Sequence, residues 1–238
     1  LGQPLSAELW QSLSASQRAW VAEQLGSLLA TMHAFDPDVL PISRVDSWWS
    51  DGAATSTLNR VPRTLPGKLE LMKQRVVEVV DPHLSAAETD FVERVFAQVD
   101  DMLARPYQQR ALNHGELHED HMLWTAEGGV GVIDFSDMTV GDPALDYAHF
   151  AGISPSLPGM VYEQAIIQHE QRRQTPAVPG VPPPMPGPLY RAPGGGRTSE
   201  STEDTDVLRR AAVYKDWDNI FLLIDHYRTG RSPRVELL

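Results

Sequence analysis

Chemistry needs nucleophiles, bases or metal ligands gathered on a short piece of chain, and residues 112–135, LNHGELHEDHMLWTAEGGVGVIDF, gather them. His114, Glu116, His118, Glu119, Asp120 and His121 sit in one polar segment, with Asp134 and Asp137 a little further on. Ala111-Leu112-Asn113-His114 reads as a strand leading in and Met122-Leu123-Trp124-Thr125 as a strand leading out. Val130 to Phe135 reads as a second strand after a turn at Glu127-Gly128-Gly129. Polar groups presented on a loop between apolar strands are where catalytic side chains commonly sit.

Three chemistries compete for this loop. His114, Glu116, His118 and His121 offer imidazole and carboxylate ligands to a metal such as zinc, but the spacing is not H-E-x-x-H. The same groups also suit plain pairing that stiffens a loop. Phosphoryl transfer is the third reading. It needs a carboxylate near the acceptor hydroxyl and oxygen or nitrogen ligands that hold Mg²⁺ against phosphates. Glu116 on the loop, His121 five residues later and Asp134 ending the next strand have that arrangement.

The elements that must position these groups are mostly helical. Ser14 and Gln17 form a capping box for an amphipathic helix that ends near His33, before Asp36-Pro37. Pro66 opens a helix carrying Leu69, Leu71, Met72, Val76, Val77 and Val80, closed by Asp81-Pro82. Ser85 and Glu88 form a second capping box, and Phe91, Val92, Val95, Phe96, Val99, Met102 and Leu103 mark one buried face. The stretch SDMTVGDP after Phe135 reads as a loop, Pro143 opens a helix through Phe150, and another helix covers Gly159 to Arg173. A final helix over Asp206 to Thr229 buries Leu208, Ala211, Ala212, Trp217, Ile220, Phe221, Ile224 and Tyr227. The Trp48-Trp49 pair reads as a packing anchor. The tract 174–205, rich in proline and with Gly194 to Gly196 inside it, reads as a disordered insertion. The expected domain plan is therefore a core over 1–173, that insertion, and C-terminal helices of the same unit over 206–238.

Composition removes several function classes. The 238 residues carry no cysteine, which excludes disulfides and thiolate zinc sites. A formal charge of −12 argues against nucleic acid, whose binding rests on cationic side chains. It suits a cationic small molecule, or simply keeps the chain in solution. The longest purely apolar run, Ile220 to Ile224, cannot span a bilayer. The first residues show no basic segment followed by an apolar one, so no signal peptide is expected, and a cytoplasmic protein is.

HGELHEDHML followed by GVIDFSDMTVGDPALDYAHF resembles the catalytic core of the aminoglycoside phosphotransferase family. The family pattern is H-G-D-L-H-x-x-N-[IV]-L, then G-V-I-D-F/W with D-P-x-x-D after it. The match is close from Leu112 to Phe150. It is looser over 2–35, which resembles the segment after the interlobe hinge, and over 209–230, which resembles the last helices. The resemblance implies a mainly helical α+β fold. This is the C-terminal lobe of a protein-kinase-like architecture with a small β-hairpin element at the catalytic loop. It also implies transfer of the γ-phosphoryl of ATP or GTP to a hydroxyl of a small substrate such as an aminoglycoside or a macrolide, with Mg²⁺.

Residue by residue, the resemblance implies that Glu116 takes the place of the catalytic Asp. His121 takes that of the usual Asn ligand of Mg²⁺, as in the macrolide and 2″-aminoglycoside kinases, and Asp134 is the second Mg²⁺ ligand. His114, Asp142 and Asp146 brace the loop. Asp216 and Asp218 in the C-terminal helices are candidates to meet substrate amines, with a solvated helix face as the alternative. Two departures set limits. Glu116 is a methylene longer than Asp. The lysines, Lys68, Lys73 and Lys215, all lie in helical surroundings, so the phosphate-contacting strand lysine of the N-terminal β-lobe has no counterpart. The chain is expected to begin at the hinge, without that lobe. The alternative is an inactive remnant or ligand-binding module of the same fold.

Overall fold

Leu5 is fully buried and its backbone N–H donates to the Met122 carbonyl at 2.8 Å, which ties the start of the chain to the strands around the polar loop. In the computed structural model, residues 2–35, 65–104, 111–174, 206–235 and 237 are described. Trp48-Trp49 and residues 175–205 of the Pro-rich tract lie outside them.

The elements in chain order are β1 (Gln3–Pro4), α1 (Ala7–Ser12), α2 (Ala15–His33), α3 (Leu65–Arg75), α4 (Ala86–Leu103), β2 (Ala111–Asn113), β3 (Met122–Thr125), β4 (Gly129–Val132), β5 (Thr139–Gly141), α5 (Phe150–Ile153), α6 (Leu157–Gln174) and α7 (Val207–Thr229). Two small antiparallel sheets hold the strands: β1-β3-β4, and β2 paired with β5 so that Leu112 faces Val140. Helices form most of the other described residues. α2 packs on α6 so closely that a Cβ at Gly26 would lie 2.6 Å from Gln164 Cβ. α7 packs against α4 and against the turn after β5.

Both capping boxes form as expected: Ser14 with Gln17 starts α2, and Ser85 with Glu88 starts α4. Other expectations need correction. The helix after Pro66 leaves α geometry at Val76–Val80, which is a π turn, and a 3₁₀ turn at Asp81–His83 follows. The wider turn rotates Val77 into solvent, 68% exposed. The second hairpin strand stops at Val132, because Asp134 adopts φ 58°, a left-handed conformation that no strand continues through. Part of the expected loop SDMTVGDP is strand β5. Pro143 opens a 3₁₀ turn through Tyr147, and an α-helix begins only at Phe150. On α7, Ala212 is exposed, whereas Val207, Arg210, Val213, Tyr214 and Leu223 join the buried side.

Candidate active site

The polar loop hangs from a single buried carboxylate. Asp146, in the 3₁₀ turn, accepts hydrogen bonds from the backbone N–H groups of His114 (3.1 Å) and Gly115 (2.9 Å), and pairs with His33 Nε2 of α2 at 2.9 Å. Asp142 caps the same turn by accepting from Ala144 N. Its carboxylate takes a two-pronged bond from Arg210 of α7, 2.7 Å and 3.1 Å, and a third from the Tyr214 hydroxyl. Both aspartates are completely buried. Arg210 is buried too, and the pairing is what makes that burial tolerable for a guanidinium.

His114 is buried and accepts at Nδ1 from Glu116 N while its Nε2 donates to the Ile133 carbonyl, so the ring staples the loop to the end of β4. Burial lowers its affinity for a second proton, against the pull of Asp146. Gly115 has φ 92°, and a Cβ there would sit 2.3 Å from the Asp137 carbonyl oxygen. Only glycine lets these two backbones touch.

His121 donates from Nδ1 to the Glu116 carbonyl at 2.8 Å, which leaves the Nε2 lone pair on the side of Asp134, whose Oδ2 is 3.8 Å away. Asp134 is about half exposed. Its acidity is raised by hydrogen bonds from Ser136, side chain and backbone. An imidazole lone pair and an ionised carboxylate this close form a donor set for a divalent cation, with the carboxylate as its hard oxygen ligand.

Glu116 also faces a solvent-open cleft lined by Lys68, Asp137, His149, Trp217, Asp218 and Phe221, among others. Burial, then the charges of Asp137 and Asp218, push its carboxyl up to about 8, and a hydrogen bond with Asp137 adds to this while Lys68 opposes it. Lys68 is buried and donates from Nζ to the Asp137 carbonyl at 2.9 Å. His118 lies beside the cleft with Nε2 3.7 Å from Glu116 Oε1. Burial and the neighbouring His121 and His149 lower its pKa to about 4. Asp218 faces His149 Nδ1 at 3.7 Å and Lys215 at 3.4 Å.

Thus Glu116, His121 and Asp134 come together along the loop, His114, Asp142 and Asp146 lie beneath it, and Asp218 stands across the cleft. Asp216 is not among the cleft-lining residues; burial raises its pKa and the charge of Arg94 on α4 opposes this. Sequence reasoning missed Lys68, His33 and Arg210. Lys68 had one readable signal, since it occupies the buried register of α3 with Leu65, Leu69 and Met72. Arg210 likewise shares the buried face of α7 with Val207, Val213 and Tyr214.

The model of the phosphotransferase enzyme family matches residues 1–179. A search of curated protein sequences gave no match. Among solved structures, the GDP and kanamycin complex of APH(2″)-IIIa is similar with a TM-score of 0.63 and 17% identity over 97% of this chain and 63% of that one. ADP-bound aminoglycoside phosphotransferase APH(2″)-Ib gives 0.55 and 16% over 98% and 64%. Macrolide 2′-phosphotransferase MphH from Brachybacterium faecium, as apoenzyme, gives 0.50 and 20% over 97% and 63%. The chain therefore spans less than two thirds of the length of these structures, and it shares their kinase-like fold.

Proposed function

Because the chain belongs to the phosphotransferase enzyme family, we propose that it carries the acceptor and metal-binding part of a small-molecule kinase. The reaction is transfer of the γ-phosphoryl of ATP or GTP to a hydroxyl of an aminoglycoside, a macrolide or a related metabolite, in the cytoplasm where these nucleotides are abundant. Residues 1–173 and 206–238 make one lobe in this reading, with 174–205 as an insertion.

Glu116 orients the acceptor hydroxyl and, in its ionised form, takes its proton. His121 Nε2 and Asp134 would hold Mg²⁺, which when bound supplies charge neutralisation for the phosphates. His114, Asp142 and Asp146 keep the loop in register. Asp218, across the cleft from Glu116, meets a cationic group of the substrate, a role that the position of Asp216 does not support. The observation that carries the reading is the orientation of His121. Its Nδ1–H is spent on the Glu116 carbonyl, so the Nε2 lone pair faces Asp134 only a few residues from the proposed base.

Calorimetry on a form as long as the solved relatives, with ATP and GTP, each with and without Mg²⁺, followed by a transfer assay against aminoglycosides and macrolides, tests it. Mg²⁺-dependent nucleotide binding that Asp134→Asn abolishes in a folded variant is the expected result. Binding indifferent to Mg²⁺ and to Asp134, with no transfer in a form as long as the solved relatives, would favour a ligand-binding module instead.

A further inference from the structure

His118 is unused by the phosphotransfer reading, yet it stands within metal-ligand reach of two groups that the reading does use. One ligand atom each from Glu116, His118 and His121 lie within 4.8 Å of one another. The two imidazole rings are 3.9 Å apart between centroids, so they open by about 1 Å to share one tetrahedral ion. A dication with nitrogen ligands at about 2.0–2.1 Å holds tetrahedral neighbours roughly 3.4 Å apart. The 3.7 Å between His118 Nε2 and Glu116 Oε1 is near that already.

The groups behind the rings matter as much. A ligating histidine gives its far N–H to a carbonyl or carboxylate, which fixes the ring and its tautomer. His121 Nδ1 donates to the Glu116 carbonyl at 2.8 Å and is also the nitrogen 4.0 Å from Glu116 Oε2, so His121 ligates through its free Nε2 once the ring turns toward Glu116. His118 Nδ1 has Asp120 Oδ2 at 4.0 Å. His118 Nδ1 accepts from Asp120 N, so its proton sits on Nε2. Metal binding at Nε2 moves that proton to Nδ1, which gives up the bond from Asp120 N and turns to the Asp120 carboxylate 4.0 Å away. All three side chains keep some solvent exposure, between 15% and 31%, so an ion can enter.

We propose that Glu116, His118 and His121 form a site for a borderline-soft divalent cation of the Zn²⁺ class, which shares His121 with the pair His121–Asp134. Two imidazoles and a carboxylate are a ligand set that zinc favours and Mg²⁺, which demands hard oxygen ligands, does not. On the phosphotransfer reading given above, on which this consequence rests, His121 cannot serve both ions. Zinc in the site therefore withdraws the base and one Mg²⁺ ligand together and holds the loop inactive.

Zn²⁺ alone, titrated into the 238-residue chain against a chromophoric chelator at neutral pH, tests the site without nucleotide or acceptor. Its outcome is thus independent of the phosphotransfer reading. One high-affinity equivalent per chain is expected, weakened at least about tenfold by His118→Gln and far less by Asp134→Asn. Affinity unchanged by His118→Gln, or lost in Asp134→Asn while His118→Gln retains it, overturns the proposal. Should His118→Gln melt early, carbethoxylation of the wild-type chain decides. Zinc protects His118 and His121 from the reagent while exposed His83 still reacts; equal modification with and without zinc overturns the site.

Discussion

Arg210 and Asp142 face each other through two nitrogens and two oxygens, both side chains almost wholly out of solvent. This pair joins α7 to the turn beneath the polar loop. Arg210→Met takes the guanidinium away from a buried carboxylate that also accepts from the Tyr214 hydroxyl and Ala144 N, and should cost about 3–5 kcal/mol of stability. Urea unfolding measures the loss. Adding Asp142→Asn should recover part of it, and a double variant as unstable as the single one would show that packing, not charge, is responsible.

Gly115→Ala places a methyl against the Asp137 carbonyl and forces a non-glycine residue to positive φ. The backbone alone accounts for about 1–2 kcal/mol. The expected pattern is a marked fall in melting temperature with loss of Mg²⁺-dependent nucleotide binding, because one of the two backbones must move. Wild-type binding in Gly115→Ala would mean that the loop yields without consequence.

The Glu116 carboxyl, pushed up to about 8, gives stability a pH slope. Above the ordinary carboxylate value the unfolded chain has released this proton while the folded chain still holds it. Stability therefore falls as pH rises from about 4.5 toward 8, and is not lost further beyond that. Glu116→Gln, which is neutral throughout, should flatten the slope and melt higher than wild type near pH 8 in EDTA. Parallel melting curves for the two proteins across that range would contradict the burial account.

Glutamate in place of aspartate at 116 moves the proposed base by a methylene. A displacement of about 1 Å at a reacting group can cost on the order of 100-fold in rate. In a form of the protein as long as its solved relatives, Glu116→Asp should raise kcat with little change in KM for nucleotide. An unchanged or lower kcat would mean that the surrounding carboxylates already place Glu116 well.

Local signals carried most of what the sequence alone could tell. Ser14 with Gln17 and Ser85 with Glu88 mark their helix starts because each cap is made within three residues. The order and spacing of Glu116, His121 and Asp134 made the loop readable for the same reason. What stayed hidden depends on partners far along the chain. β5 is three residues long and exists because β2 pairs with it. Arg210 is buried because Asp142, 68 residues earlier, neutralises it, and without that partner Ala212 looked the better inward residue. Asp134 breaks its strand through a backbone conformation that side-chain alternation does not encode.

The hydrogen bond between His33 and Asp146 spans 113 residues of chain. Closing so large a loop costs entropy before any contact rewards it, so long-range pairings of this kind tend to complete slowly. The amides of His114 and Gly115 share the same carboxylate and can gain protection only once it is in place. Pulse-labelled hydrogen exchange during refolding should find those two amides protected later than the interiors of α2 and α4; simultaneous protection would refute this order. The polar loop is then a timepiece for the whole lobe, setting only after the two distant parts of the chain have met.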